Sequence, residues 1–198
     1  NGKSQRWFLN GQIMEELTHK EQVPVGRWQY WFENGQKKEE RAYDNGIPTG
    51  DWVQYYSNGF MKHKTSYSSG NEDGTWVYWY DNGQKKEEKN FMNGKKDGKW
   101  ESWFADGTKK EERHYSNDLK TGIWIERYEL QPREERRYKN GKLDGPRRKW
   151  YSNGQLKEDG NYKNGKEDGR WTYYLEDGKV ETSYDIKGNF LSKINIDE

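Results

Sequence analysis

Residues 26–46 read GRWQYWFENGQKKEERAYDNG, and this stretch decides the fold. Trp28, Tyr30, Trp31 and Phe32 run into Asn34-Gly35; Lys37, Lys38, Glu39, Glu40 and Tyr43 follow, and Asn45-Gly46 closes the segment. Aromatic-rich segments flanking Asn-Gly are the strongest short-range signal for a β-hairpin, because both central residues of a type I′ turn need φ > 0. With Asn34-Gly35 as those central residues, Phe32 pairs with Lys37 and Tyr30 with Glu39. Alternation along the strand then puts Trp28, Tyr30, Phe32 and Tyr43 on one face and Trp31 on the other. Asn45-Gly46 is expected to begin a wider connection, so the unit reads strand, tight turn, strand, wider loop.

The unit recurs along the chain. Its opening glycines are Gly2, Gly26, Gly50, Gly74, Gly98, Gly122, Gly145 and Gly169, with every step 24 residues except one of 23. Self-similarity at such a fixed period signals a stacked repeat. The expected fold is all-β: an elongated single sheet of about eight antiparallel hairpin repeats, one continuous array over 1–198 with 187–198 as a C-terminal cap. At about 4.8 Å per strand, each repeat advances roughly 10 Å, and the whole rod measures on the order of 80 Å. Two aromatic ribbons should result. One carries Trp28, Trp52, Trp76, Trp100, Trp124 and Trp171 beside Phe32, Tyr56, Tyr80, Phe104, Tyr128 and Tyr151. The other carries Trp7, Trp31, Tyr55, Trp79, Trp103, Trp150 and Tyr174. The first is the structural ribbon, since its Trp recurs most faithfully. The second is either a lesser packing face or a binding surface.

Composition agrees with a folded chain. Leu, Ile, Val and Phe are scarce, which counts toward disorder. Yet the net charge is only +1 and 16% of residues are aromatic, whereas disorder needs excess charge and few aromatics. Each large ring buries about 150–250 Å² and can replace a missing aliphatic core. There is no Cys, which excludes disulfides and thiolate metal sites. No apolar run approaches the roughly 20 residues of a membrane-spanning helix. The near-neutral charge gives no reason to expect nucleic acid as a partner. The chain starts inside a repeat without an initiator Met, so a leader, anchor or earlier repeat can precede it, and a cell-envelope, secreted or cytoplasmic location stays open.

Asn93-Gly94-Lys95-Lys96-Asp97-Gly98-Lys99-Trp100 and Asn164-Gly165-Lys166-Glu167-Asp168-Gly169-Arg170-Trp171 lead into an aromatic pair and a charged return strand. This pattern resembles the bacterial variant of the MORN (membrane occupation and recognition nexus) repeat over nearly the whole chain. Proteins similar to it are often named antitoxins, and other MORN repeats sit beside lipid-kinase domains. The repeats here leave no room for such a catalytic domain. Departures are few: Ser4 and Arg147 stand where Trp is expected, His19 and Ile186 at the late Tyr position, and Arg127 at the outer aromatic position. The turn after Tyr128, Glu129-Leu130-Gln131-Pro132, is one residue short. End repeats differ because they cap a stack, which accounts for the terminal units but not for Arg127 to Arg147.

Paired carboxylates such as Glu39-Glu40, Glu87-Glu88 and Glu111-Glu112 recur at one position, while acid/base catalysis needs one unlike environment. They read as cross-strand charge ladders. His19, His63 and His114 lie in different units without metal-ligand spacing. Gly94–Lys99 loosely resembles a phosphate loop but leads into Trp100 rather than Ser or Thr. No enzyme, cofactor or metal is expected. The local outlier is a basic cluster, Arg133, Arg136, Arg137, Arg147 and Arg148, suited to phosphate or carboxylate. The expected function is a non-catalytic scaffold recognising a protein through Trp31, Tyr55, Trp79, Trp103, Trp150 and Tyr174. The alternative is an anionic lipid headgroup, a glycan or a choline-type ligand on the aromatic or basic surfaces. Choline-binding cell-wall repeats are also aromatic hairpins, but their period is nearer 20 and they lack the Lys-Lys-Glu-Glu strand.

Overall fold

A computed structural model describes residues 1–128 and 133–186, together with the backbone of 190–193. The irregular turn at 129–132 and the terminal Ile194-Asn195-Ile196 lie outside the described residues. All regular structure among the described residues is β, in antiparallel strands. The chain divides into two units: Asn1–Gly98 with Ser102–Thr108, and Lys99–Glu101 with Lys109–Glu198. Within each, successive hairpins pair strand to strand as a meander.

The hairpin of the deciding stretch joins Gly26–Trp31 to Lys37–Asp44. Tyr30 pairs with Glu39 as its sequence implies, but Trp31, not Phe32, stands opposite Lys37. The reason is the turn. The Phe32 N–H donates to Gln36 O at 2.8 Å and the Gly35 N–H to Phe32 O at 2.9 Å. Gly35 has φ +81°, whereas Asn34 is absent from the positive-φ residues. This is a three-residue loop, a type I turn followed by a left-handed glycine, and not the two-residue type I′ turn expected. The two-residue turn lies at the other Asn-Gly. Asn45 and Gly46 have φ 47° and 82°, and Asp44 pairs directly with Ile47. Tight and wide connections are thus interchanged relative to the sequence expectation. Glu21-Gln22 and Asn117-Asp118 adopt the same left-handed pair without any glycine, at a steric cost that the flanking strands impose.

Register assigns the faces. Trp28 stands opposite Arg41 and Tyr30 opposite Glu39, so these four share one face and Trp31 lies on the other. On the first face the rings form a ladder. In the first unit it runs His19, Trp28, Tyr43, Trp52, Tyr67, Trp76, Phe91, with centroids 4.8–5.4 Å apart and planes tilted by 48–58°. Tilted contacts at this spacing are the arrangement that the ring quadrupole favours. Each indole also closes a bond across the sheet: Trp28, Trp52 and Trp76 donate from Nε1 to the carbonyls of Thr18, Ala42 and Ser66, ten residues earlier. In the second unit Trp100, Tyr115, Trp124 and Tyr138 continue the same pattern.

Three further rows tie each repeat to the next. Asn10, Asn34, Asn58, Asn82 and Asn153 accept from the amide two residues on and donate to a carbonyl 23 residues on. Tyr56, Tyr80 and Tyr151 donate their hydroxyls to Trp79, Trp103 and Tyr174 carbonyls. The type I′ glycines Gly46, Gly70, Gly94 and Gly165 donate to carbonyls 22 residues back, and Gly141 to one 21 residues back. Few side chains among the described residues are buried: Trp76, Tyr115, Trp124, Tyr138 and Trp171 are the hydrophobic ones.

The ladder breaks at Arg147. This guanidinium occupies the Trp position and bonds Glu134 at 3.0 Å and Glu158 at 2.7 Å. Trp171 responds by packing onto Gly160, where any Cβ would overlap its ring. It meets Tyr162 edge-on at 89° and is fully buried, and its Nε1 has no hydrogen-bond partner among the described residues.

Trp76→Ala removes one rung and its bond to Ser66, and should cost about 3–5 kcal/mol, read as a lowered urea midpoint. Asn82→Asp keeps the turn's acceptor but loses the donor to Ala105, at about 1 kcal/mol. An equal midpoint for Asn82→Asp and wild type would show that the asparagine row adds nothing to repeat coupling.

Candidate functional site

Trp31, Tyr55 and Trp79 sit at the ends of their outgoing strands, on the face opposite the ladder. Each is placed there by the same register shift, between Tyr30 and Trp31, Gln54 and Tyr55, and Tyr78 and Trp79. At each shift the return strand holds one residue more than its partner, so two residues (Lys37-Lys38, Met61-Lys62 and Lys85-Lys86) oppose one aromatic ring. The bulge re-aims the ring, as bulges do near strand ends. Trp103 belongs to the same first unit. All four are half-buried, and no second layer covers them. Trp7, at the first strand's end, is 56% exposed.

Charges frame the row. Lys37 bonds Glu40 at 2.8 Å and Lys85 bonds Glu88 at 2.6 Å, while Glu39 and Glu87 face the other way and hold Arg41 and Lys89. Neighbouring glutamates therefore do serve opposite faces. Lys85 also lies 5.3 Å from the centre of the Trp103 ring. Gln84, Lys85, Trp103 and Gly107 line a shallow depression of about 320 Å³. A second depression of about 280 Å³ opens where Ala42 is small, between Arg27, Glu40, Gly50, Asp51 and Val53. Burial, with Glu40 beside it, pushes the Tyr55 hydroxyl above its ordinary value.

The second unit places Trp150 and Tyr174 at the same bulge, and both are half-buried. The five arginines expected as a basic cluster do not form one. Arg136 and Arg147 pair directly with each other and share the ladder face. They are held by Glu126, Glu134 and Glu158. Arg133, Arg137 and Arg148 lie on the opposite face by alternation. Arg133 is bonded to Glu135, Arg148 bonds Asp159 at 3.0 Å, and Arg137 is exposed with its stem against Gly145. Adjacency in sequence becomes separation in the sheet, because successive side chains leave on opposite sides.

The remaining motifs take structural roles. The Gly94 amide, which a phosphate loop would offer to its ligand, donates to Glu72 O at 2.8 Å. His19 is the first rung of the ladder. His63 lies on the ladder face, 3.1 Å from Gln54 Oε1 and with its ring 5.6 Å from Tyr78. No group of three or more His, Asp or Glu side chains is arranged to hold a metal ion among the described residues.

The sequence of these hairpins matches a known repeat family. The MORN repeat variant pattern matches residues 1–21, 24–45, 72–93, 96–117 and 143–164, more than half of the chain. The chain belongs to the MORN repeat variant family. No curated protein matches it. The matched segments leave out residues 46–71, yet Gly50–Tyr55 and Met61–Ser68 pair there in the register of the repeats on either side.

Burial draws the His63 ring below its ordinary value; Glu39 opposes this, and Lys62 and Arg41 reinforce it. The folded state therefore binds this proton less readily than the unfolded chain, and its contribution to stability is present above pH 6.5 and lost below it. Urea midpoints should fall between pH 7 and 5, and His63→Gln should flatten that slope. Burial acts to raise the Glu112 carboxyl, but Lys109, His114 and Lys99 hold it down at about 2. Its contribution is present above pH 4.5 and fades between there and pH 2. A second decline over that range, weakened in Glu112→Gln, is the expected result.

Proposed function

We propose that this MORN-repeat chain is a non-catalytic scaffold for protein–protein recognition, docking its partner on the outer aromatic row. The observation that carries this reading is the regular placement of Trp31, Tyr55, Trp79 and Trp103 on the face that the ladder leaves free. The fold has a dedicated set of rings for holding its repeats together, so the second set is not spent on that task. Trp and Tyr on a firm backbone give large contact area at little entropic cost and dominate interface energetics. Open repeat sheets present such residues along extended surfaces. An antitoxin role would be one instance of this recognition.

Two observations favour a protein partner over the small-ligand alternatives. Rings suited to cradle a choline-type cation already carry the chain's own lysines: Lys38 over Phe32, Lys62 over Tyr56, Lys86 over Tyr80 and Lys157 over Tyr151, at 5.1–5.8 Å. An external cation must displace them. The arginines suited to lipid phosphate are largely answered by Glu126, Glu134, Glu135, Glu158 and Asp159, and breaking such pairs is costly.

Affinity capture with the wild-type chain, followed by titration of the purified captured protein, provides the test. Trp79→Ala and Trp103→Ala should each weaken binding by about 30-fold, the loss expected of an interface hot spot. Far-ultraviolet circular dichroism and urea midpoints should stay close to wild type. Undiminished affinity in both variants, with the fold intact, would rule out the outer row as the docking surface.

A further inference from the structure

Arg127 stands where the other repeats place an outer aromatic, and the residue directly opposite it in the sheet is Arg133. Like charges in a directly opposed pair destabilise a sheet, so this pairing calls for a reason. Both guanidiniums turn a nitrogen away from solvent: Arg127 Nη1 and Arg133 Nε are buried and have no hydrogen-bond partner among the described residues. Arg136 and Arg113 also hold an unpartnered Nε, but their remaining nitrogens grip carboxylates. Arg127 makes no ion pair among the described residues. Arg133 lies 4.7 Å above the half-buried Trp150 ring and is bonded to Glu135, so its plane is fixed from below and from one side. Arg148 and Asp159 satisfy each other next to this group.

We propose that Arg127 and Arg133, beside Trp150, form a seat for one carboxylate presented by a protein partner. The inference rests on the protein-recognition reading above and names a group that the partner contributes. Among the described residues Arg127, Arg133 and Glu135 together carry one uncompensated positive charge, which a single carboxylate neutralises. A phosphate monoester, at about −1.5 to −2, overshoots it. Two guanidinium forks also match the planar, two-oxygen geometry of a carboxylate. The position adds specificity: Arg127 stands at the outer aromatic position of its own hairpin, in the same unit as Trp150, so a partner docked there meets a guanidinium where the pattern would otherwise provide a ring. Burial, then the charge of Arg127, draws the Arg133 guanidinium below its ordinary value, and a bound anion would reverse the second of these influences.

Arginine Nε–Hε correlations in a ¹⁵N spectrum of the full chain test the seat directly. The probes are sodium acetate and the tripeptide Ac-Gly-Glu-Gly-amide, with chloride at equal ionic strength as the control. Inorganic phosphate and phosphatidylserine vesicles form the competing arms. The Arg133 Hε signal should shift saturably with both carboxylates and not with chloride, and the midpoint should rise about tenfold or more in Arg127→Gln. The same variant should leave the urea midpoint unchanged or higher, because it relieves a like-charge contact. The proposal fails if no saturable shift occurs, if Arg127→Gln shifts like wild type, or if that variant is destabilised, which would make Arg127 a structural cation. Phosphate or vesicles acting at lower concentration would overturn it in favour of a phosphorylated or membrane ligand. The titration needs no partner protein, so failure of the seat and failure of the outer aromatic row are read separately.

Discussion

Everything in this fold depends on the contact between an indole and the phenol or phenyl ring of the neighbouring strand. A single sheet has no second layer to supply an oily interior, so hydrophobic burial must happen within the sheet's own face. Trp28, Tyr43, Trp52, Tyr67 and Trp76 achieve this by covering one another in tilted contacts. The indole N–H, which would be costly to leave unpaired, is spent on a carbonyl ten residues earlier. One side chain thus supplies buried area, ring contact and a strand-to-strand tie. Arg41 belongs to the same system, lying 5.7 Å from the Tyr30 ring centre and 5.2 Å from that of Trp52 while bonded to Glu39.

The exceptions define the rule. Where Trp is replaced by Arg147, the carboxylates of Glu134 and Glu158 close around the guanidinium, and a charge pair takes over the site of a ring contact. Trp171 then needs the bare backbone of Gly160 to find cover, and its N–H goes without a carbonyl. Substituting one rung therefore alters two neighbouring repeats, as expected where stability is a sum of nearest-neighbour terms. The same region holds Arg127, which makes no ion pair among the described residues and stands opposite Arg133. A repeat that departs from its pattern for stability alone would not be expected to acquire an uncompensated like-charge contact as well.

Division of labour between the two faces follows from the strand period of two. Glu39 and Glu40 are adjacent in the chain yet serve Arg41 on one side and Lys37 on the other. The bulge opposite Trp31 gives the outer rings their place, because an extra residue in the return strand breaks the pairing where the ring emerges. A face built this way keeps its aromatics in fixed register without using them as rungs, which suits a surface for recognition.

The 24-residue beat, the hairpins, the ladder face of Trp28 and Tyr43, and the opposite placement of Trp31 were all legible in the sequence, because each depends only on local alternation and repetition. Turn type was not: Asn34-Gly35 and Asn45-Gly46 are the same dipeptide, and only the strand pairing on either side makes one a three-residue loop and the other a two-residue turn. Nor did sequence show that Arg133, Arg136, Arg137, Arg147 and Arg148 would be divided between faces, since the bulge and the break at Arg147 alter which residues oppose one another. The 23-residue coupling of Asn10 to Glu33 and of Asn58 to Asp81 was visible as a spacing but not as a bond. By itself, then, the sequence determined what repeats and which side chains alternate, because those are properties of the chain's own periodicity. Only the tertiary structure decided which donors meet which acceptors and which charges stay unanswered, because those depend on distances between segments that covalent connectivity does not set.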